Sequence, residues 1–414
     1  MATTEVRKFD DRYQDPRPFS SLEEYRQLWR DPQRRRAYYH LFWPRRSYRE
    51  DFSILIAGCG TSQAAKYAMR WPDAQVTGID ISPTSVRCTE DLKCLYNLGN
   101  LQLYQVPIDR VGELQMTFDQ IVCTGALHHL GHLGDPDDGL AALRSVLKPD
   151  GVMHLMVYTP YGHAGIHKLH EFCKRVGIHA TDEGIRQLIN ALRALPQGHP
   201  LETLLREAPD FRHEAALADA LLHPQDHAYS VSQLFEFIKQ GKMRFGRWMK
   251  QAPYSVHCGL IAQIPQASHI AQLPPGEEFA AAETLRGTMV GHSVIVYRDD
   301  SSENPYRMSF EGDGWLDYVP IRVSETICVQ EQLPPGAAAV LINQGHTYTD
   351  ISMPISPVEK QLFDAIDGHR SIEQIIEVVM PFVRREFQLD AASRLFEQLW
   401  WNDQVVFNTV RAEP

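Results

Sequence analysis

Ile54-Leu55-Ile56-Ala57-Gly58-Cys59-Gly60-Thr61-Ser62 is the stretch on which the fold turns. Four apolar residues run into a Gly-x-Gly, and helical text follows through Trp71. That order reads as a buried strand, a tight turn and a helix. Glycines after a buried strand let the backbone approach a ligand closely. The helix N-terminus behind them offers unpaired N–H groups. A purely structural turn is the other reading of a lone Gly-x-Gly. Asp80 stands twenty residues after Gly60, at the end of the strand-like Val76-Thr77-Gly78-Ile79. A carboxylate there can accept from both hydroxyls of a ribose, or it can simply cap the next helix. Where a dinucleotide fingerprint carries its third glycine this chain has Gln63, so a pyrophosphate has a less open approach.

Strand and helix patterns alternate outward from this point over residues 52–160. Gln75–Ser82 and Asn100–Asp109 read as strands, with helical Ser85–Gly99 between them. Phe118–Leu130 is an apolar strand running into polar residues, Asp138–Gly151 a helix closed by Pro149 and Gly151, and Val152–Pro160 another strand. The pattern predicts an α/β fold with a parallel, doubly wound sheet, whose ligands bind at the carboxyl ends of its strands. Met243–Gln251 and His292–Asp299 read as later strands of the same sheet. Residues 1–50 are expected to form an N-terminal helical cap, opening at Ser21 as a helix N-cap after a loosely held start. Residues 51–300 hold the sheet, with a helical insertion over about 164–245. Residues 301–353 are a β-rich connector, and 354–414 form a separate helical domain.

Further segments follow in order. Pro107-Ile108-Asp109 comes after the third strand, Phe118-Asp119-Gln120-Ile121-Val122 precedes Ala126-Leu127-His128-His129-Leu130, and Leu147-Lys148-Pro149-Asp150-Gly151 leads into the fifth strand. Together with the glycine loop and Asp80, this series resembles the class I methyltransferases that use S-adenosylmethionine. The resemblance implies a Rossmann-like sheet and S-adenosyl-L-methionine as cofactor. It implies cofactor contacts at Ala57, Gly58, Cys59, Gly60, Asp80, Ile81, Ile108, Asp109, Thr124 and Gly125. In that family the glycine loop faces the methionine part, the acid after the second strand holds the ribose, and the acid after the third meets the adenine amine. Two positions depart from the pattern: Ile56 replaces an acidic residue and Ser62 a glycine. A non-catalytic cofactor-binding protein on the same fold is therefore the reading from a different class.

In-line methyl transfer needs an oriented, unprotonated nucleophile and a water-excluding pocket more than acid–base chemistry. The acceptor-side candidates are His128, Tyr158, Tyr161, Asp226 and Tyr229, with His129, His163, His223 and His227 beside them. Each also has a structural reading, as a packed imidazole, a surface aromatic or a helix cap. Tyrosine faces attract a sulfonium or an ammonium by cation–π contact. His223 and His227 have helical metal-pair spacing, but Pro224 breaks it, and no metal site is expected. Tyr161-Gly162-His163-Ala164-Gly165-Ile166, His223–Ser230 and Met243–Tyr254 are similar to a bacterial branch with a helical insertion. That branch is loosely similar to rickettsial protein lysine methyltransferases. This raises a protein lysine amine as acceptor, against a small-molecule O- or N-acceptor.

The chain has 414 residues, 43% of them hydrophobic and 22% charged, a soluble globular composition of two or three domains. A net charge of −11 gives no general attraction for nucleic acid or an anionic membrane. Residues 1–50 run against it with 12 Lys/Arg and 8 Asp/Glu. Arg34-Arg35-Arg36 with Tyr38, Tyr39, Phe42 and Trp43 could suit nucleic acid, but a cap helix is the preferred reading. Seven cysteines without a Cys-x-x-Cys pair give no disulfide framework, and with no signal peptide and no membrane-length apolar run the expected compartment is the cytoplasm. Towards the C-terminus, Pro357–Ile366, a helix capped by Ser371 with Gln374, the helix Ala391–Trp401 and the strand Val405–Phe407 resemble a winged helix of the PqqD-like peptide-recognition group. That resemblance implies docking of a peptide or protein partner.

Overall fold

The computed structural model describes residues 21–127, 136–179, 181–196, 227–300 and 308–410. They divide into two units interleaved in sequence. One unit draws on 21–26, 50–245 and 286–300, the other on 27–49, 246–285 and 308–410.

The first unit is built on a seven-stranded sheet in the order β3-β2-β1-β4-β5-β7-β6. Its strands are β1 (Ser53–Ala57), β2 (Gln75–Asp80), β3 (Leu101–Gln105), β4 (Phe118–Thr124), β5 (Leu147–Tyr158), β6 (Met243–Trp248) and β7 (Gly291–Arg298). Strands β1 to β5 pair in parallel, and β7 runs antiparallel to β5. The doubly wound sheet read from the sequence is therefore present, including the two late strands. Ile54, Leu55, Ile56 and Ala57 are buried completely, as a central strand covered on both faces requires. The first described helix runs Glu23–Leu28, and Ser21 Oγ accepts from Glu23 N (3.3 Å). Tyr25 ties it down, its hydroxyl accepting from Arg70 Nε and Nη2 (3.0 and 2.7 Å).

The boundary before the fifth strand differs from the expectation. The helix Pro136–Val146 stops before Pro149, and β5 already begins at Leu147. Leu147 pairs with Phe118, and the register shifts between Phe118 and Gln120. The Lys148 ammonium meets the Asp119 carboxylate at 2.8 Å, and Ser53 N and Oγ donate to the same oxygen (2.9 and 2.8 Å). Burial pushes the Asp119 pKa up, but these bonds outweigh it and leave the carboxyl below its usual range. Tertiary pairing thus recruits a Lys-Pro-Asp-Gly stretch into a strand.

The second unit contains β9 (Thr326–Val329), β10 (Ala339–Asn343) and β11 (Met353–Ile355) as an antiparallel sheet, and the antiparallel pair β8 (Val319–Arg322) and β12 (Val405–Asn408). Three helices pack with them: Pro357–Asp364, Ile372–Val379 and Arg385–Trp401. The Ser371–Gln374 capping box is formed, and Ser356 with Glu359 forms a second. The last helix starts six residues before the predicted Ala391, and the apolar Val358 in the first of the three is exposed. The helix Pro32–Phe42, capped by Asp31, belongs to this unit through Ala37, which packs on Ile321 and Val406. The basic run is engaged inside the fold: Arg34 pairs with Glu325 (2.6 Å), Arg35 donates to the Trp29 carbonyl (2.7 Å) and Arg36 meets His369 Nδ1 (3.0 Å). No described helix is long and apolar enough to cross a membrane.

A buried ion pair ties together residues 247–252, 343–346 and 403, all of which fall in the second unit, although β6 begins in the first. Arg247 Nη2 lies 2.9 Å from Asp403 Oδ1, and Ala252 N donates to Oδ2 (3.0 Å). His346 Nε2 is 3.5 Å from that oxygen, and Asn343 Nδ2 donates to the Asp403 carbonyl (2.6 Å). Removing one partner leaves the other charge buried and uncompensated. Asp403→Ala is expected to destabilise the protein by about 3–5 kcal/mol in urea denaturation at pH 8. A loss below about 1 kcal/mol would mean that the Arg247 charge finds water.

His154 sits inside β5 with Nε2 2.7 Å from Ser293 Oγ. Burial, reinforced by the Arg70 charge, lowers its pKa to about 3. Its free value is about 6.5, so below that pH the unfolded chain takes a proton that the folded chain refuses. Stability is therefore lost as pH falls from about 6.5 towards the folded value, by about 1 kcal/mol per pH unit from this residue. Urea denaturation at pH 7.5 and 5.5 should show a smaller acid loss in His154→Gln than in the natural chain. Equal losses would contradict this assignment.

Candidate functional site

Strand β1 lies between β2 and β4, parallel to both. The chain leaves β1 through the helix Gln63–Arg70 towards β2, while β4 lies on the other side. This is the switch point of a doubly wound sheet, where a crevice opens outside the carboxyl ends of the strands. The glycine loop follows β1, Asp109 follows β3, and Asp80, Thr124 and Tyr158 end β2, β4 and β5, so all share one edge.

The loop after β1 is held from below. Gly58 N and Cys59 N both donate to the Ile79 carbonyl (3.0 and 2.9 Å), and Gly60 N donates to Asp80 Oδ2 (2.8 Å). Thr89 Oγ1 donates to the Gly60 carbonyl (2.9 Å). Gly58 and Gly60 have φ of +71° and +53°, where a side chain is strained. A Cβ on Gly58 would lie 2.6 Å from the Ala126 Cβ, whereas one on Gly60 would meet open space. The loop is thus close-packed at its base and accessible at its tip. Ser62, in place of a glycine, is buried at the start of the helix. Burial, then the Asp80 charge, hold the Cys59 pKa well above its ordinary value, so Cys59 is a thiol and no nucleophile at neutral pH.

Asp80 is 9% exposed and accepts through Oδ1 from Ser82 N (2.9 Å). Ser82 is itself the N-cap of the next helix, accepting from Ser85 N (3.2 Å). Capping is therefore the work of Ser82, and Asp80 spans the loop and the strand end. Ile81 is half-buried, Ile108 is buried and Asp109 is exposed in the first turn of the 3-10 helix Ile108–Leu114. Gly125 has φ +80°, and its N–H donates to the Met156 carbonyl (3.2 Å), tying the loop after β4 to β5.

Sequence reasoning treated position 63 only as a missing glycine. In the structure Gln63 Nε2 donates to Thr124 Oγ1 (2.6 Å), a bridge over the switch-point crevice. The two residues are 61 apart in sequence, and no local pattern announces the pair.

Of the acceptor-side residues, Tyr158 and Tyr229 come together at the end of β5: Tyr229 N donates to the Tyr158 carbonyl (2.9 Å). The buried Tyr229 ring packs on Phe237 and on His227 (centroids 5.2 and 4.6 Å). His163 stands edge-on to Tyr158 at 4.5 Å and 6.3 Å from His167. Burial, then His167, lower the His163 pKa to about 4, so it is a neutral imidazole at pH 7. The segment is pinned by Thr159, which donates to the Met289 carbonyl, and a Cβ on Gly162 would run into that same carbonyl. Tyr161 points outward, 44% exposed, and is not part of this cluster. His128, His129, His223 and Asp226 lie outside the described residues. Among the described residues no group of three His, Cys, Asp or Glu side chains is arranged to hold a metal.

Residues 55–153 match the family described as a methyltransferase domain. An uncharacterized protein of Synechococcus is 33% identical over 46% of this chain and 47% of its own length. A malonyl-[acyl-carrier protein] O-methyltransferase of Acetivibrio thermocellus is 30% identical over 28% of this chain and 38% of its own. The chain thus spans about half or less of these curated relatives. Among solved structures, PKMT2 from Rickettsia typhi superposes with TM-score 0.66 at 16% identity, covering 95% of this chain and 77% of that one. Its complex with AdoHcy gives TM-score 0.63 at 16% identity, covering 93% and 76%. Residues 55–153 thus match a methyltransferase-domain family, and they lie on a Rossmann-like sheet shared with the rickettsial neighbour.

Proposed function

We propose that the protein is an S-adenosylmethionine-dependent methyltransferase. The observation that carries this is the 2.8 Å bond from Gly60 N to Asp80 Oδ2, which sets a ribose-binding carboxylate against an open glycine loop. The AdoHcy complex of the rickettsial neighbour supports the choice of cofactor. Bound at this edge, the cofactor supplies an electrophilic methyl group on a sulfonium. Asp80 accepts from the ribose hydroxyls, the backbone at Gly58–Gly60 lies along the ligand, and Asp109 reaches the base from the neighbouring strand end. Ala57, Cys59, Ile81, Ile108, Thr124 and Gly125 complete the walls.

The acceptor enters beside β5 in this reading. Tyr158 and Tyr229 offer ring faces to a cation, and His163, neutral at pH 7, adds no positive charge to repel one. The same group can take a hydrogen bond from an incoming nucleophile. This favours an amine acceptor, as in the lysine-modifying enzymes to which the segments after β5 are similar. The malonyl-[acyl-carrier protein] relative overlaps only 28% of the chain, so its acceptor is not carried over.

The purified protein should bind S-adenosylhomocysteine in calorimetric titration and bind NAD weakly or not at all. Asp80→Ala should weaken that binding by about 1.5–3 kcal/mol, the range for hydrogen bonds to a charged group. NAD binding without S-adenosylhomocysteine binding would overturn the cofactor assignment. Labelled methyl transfer into a fractionated extract should then mark protein, faster at pH 9 than at pH 7, because an amine must lose its proton before attack. Label confined to small molecules with a flat pH profile would replace the amine by a hydroxyl acceptor. Binding with no transfer to any fraction would favour the non-catalytic reading.

A further inference from the structure

Thr159 follows Tyr158, the last residue of β5, and is completely buried. Its hydroxyl is used twice, donating to the Met289 carbonyl and accepting from Gly162 N (3.3 Å). Its backbone N–H donates to the Val290 carbonyl (3.3 Å), so side chain and backbone both grip the stretch that leads into β7. Gly162 makes the same demand, since a Cβ there would run into the Met289 oxygen and lie 2.8 Å from Val290 N. Residues 159 and 162 thus meet one carbonyl, and the turn between them has one seat. Tyr158 stands just before this turn and His163 just after it, as the N-cap of the helix Ala164–Val176. Their rings meet edge-on at 4.5 Å.

We propose that Thr159 is a positioning residue for methyl transfer, setting Tyr158 and His163 against the incoming acceptor by way of the Met289 carbonyl. The inference deepens the acceptor reading given above and rests on it. Being completely buried, Thr159 acts through its neighbours and does not touch the acceptor. A hydrogen bond is directional and apolar packing is not, so a hydroxyl that both donates and accepts fixes the turn in orientation as well as in depth. The other side of Tyr158 is held independently, its carbonyl accepting from Tyr229 N (2.9 Å). With that end fixed, loss of the hydroxyl frees His163 more than Tyr158. In-line transfer is sensitive to such freedom, since a misplacement of about 1 Å can cost about a hundredfold in rate. Serine can supply the hydroxyl but lacks the branch that stiffens threonine at χ1. Valine keeps the branch and loses both bonds.

The test uses Thr159→Val, Thr159→Ser and Gly162→Ala in the full chain. Three quantities are read: S-adenosylhomocysteine binding by calorimetric titration, the ring titration of His163 by NMR, assigned through His163→Gln, and labelled methyl transfer into the protein fraction of an extract over a dilution series. Thr159→Val should bind S-adenosylhomocysteine within about twofold of the natural chain, because the proposed cofactor contacts lie at the ends of β1 to β4. Its His163 should titrate above the natural value of about 4, as water reaches the loosened ring. Its rate of transfer at saturating acceptor should fall about tenfold or more, with a smaller change in the acceptor level at half-saturation. Gly162→Ala should show the same pattern, since its methyl pushes the turn off the Met289 carbonyl. Thr159→Ser should recover transfer to within about threefold of the natural chain. A Thr159→Val chain with normal transfer, or with slowed transfer and an unmoved His163 titration, would overturn the inference and leave the cofactor and acceptor readings intact. Failure of serine to restore transfer would overturn the role of the hydroxyl. A natural chain that binds S-adenosylhomocysteine and labels no protein would overturn the acceptor reading, and this inference with it. Thermal melts confirm that each variant is folded, and where Thr159→Val is not, Gly162→Ala and Thr159→Ser decide by the same readouts.

Discussion

The Asp80 carboxylate accepts from two backbone N–H groups, Gly60 through Oδ2 and Ser82 through Oδ1. Much of the first unit's ligand edge depends on that double bond. It locks the end of β2 to the loop after β1 and also orients the start of the next helix. Hydrogen bonds to an ionised acceptor are roughly twice as strong as neutral ones, so a small buried contact can hold a strained loop in place. The neighbouring backbone is shaped to fit. Gly58 and Gly60 take positive φ, and Gly78 lets β2 approach its surroundings, since a Cβ there would lie 2.7 Å from Leu103 and 2.8 Å from Ala64. A site fixed in this way before any ligand arrives loses less conformational entropy on binding.

The parts of the fold that were legible in the sequence are those where burial alone decides. Ile54–Ala57 and Ile121–Cys123 are apolar because both faces of their strands are covered, and a run of that kind permits little else. Capping boxes were legible for a different reason. Ser371 and Gln374 satisfy each other's backbone within one turn, so the signal and its partner sit three residues apart. The failures lie where a distant residue outvotes a local one. Pro149 and Gly151 read as a stop, yet Phe118 and Asp119 draw Leu147 and Lys148 into the sheet. The last helix lacks a side-chain cap at Arg384, so its start carried no mark.

The same logic governs the site. Glycine loop and strand-end acid stand in fixed relation to a strand–turn–helix unit, and the text shows both. Gln63 was visible only as a departure from a glycine pattern, because its meaning comes from Thr124 on a strand that is distant in sequence and adjacent in space. His163 sat in an aromatic segment with no sign that burial would lower its pKa to about 4. Arg34 to Arg36 looked like a basic patch, and only the folded chain reveals Glu325, Trp29 and His369 as their partners. Charge in a sequence states a sum, whereas the field at a surface depends on which charges remain unmatched.

Polarity is graded along the ligand edge. A carboxylate stands after β2, a neutral thiol after β1, a neutral amide and hydroxyl between β1 and β4, and a neutral imidazole among tyrosines after β5. Such an order suits a reaction that consumes a cation. Negative charge beside the reacting centre would hold a sulfonium in its ground state, since the charge to be stabilised is greatest before the methyl group leaves. In the proposed reading the edge acids, Asp80 at the end of β2 and Asp109 after β3, stand two strands or more from β4, at about 10 Å or beyond, and so do not strengthen the starting state more than the transition state. Neutral aromatic and imidazole groups next to the acceptor can orient a nucleophile and exclude water, and they leave the loss of positive charge at the sulfur to drive the transfer.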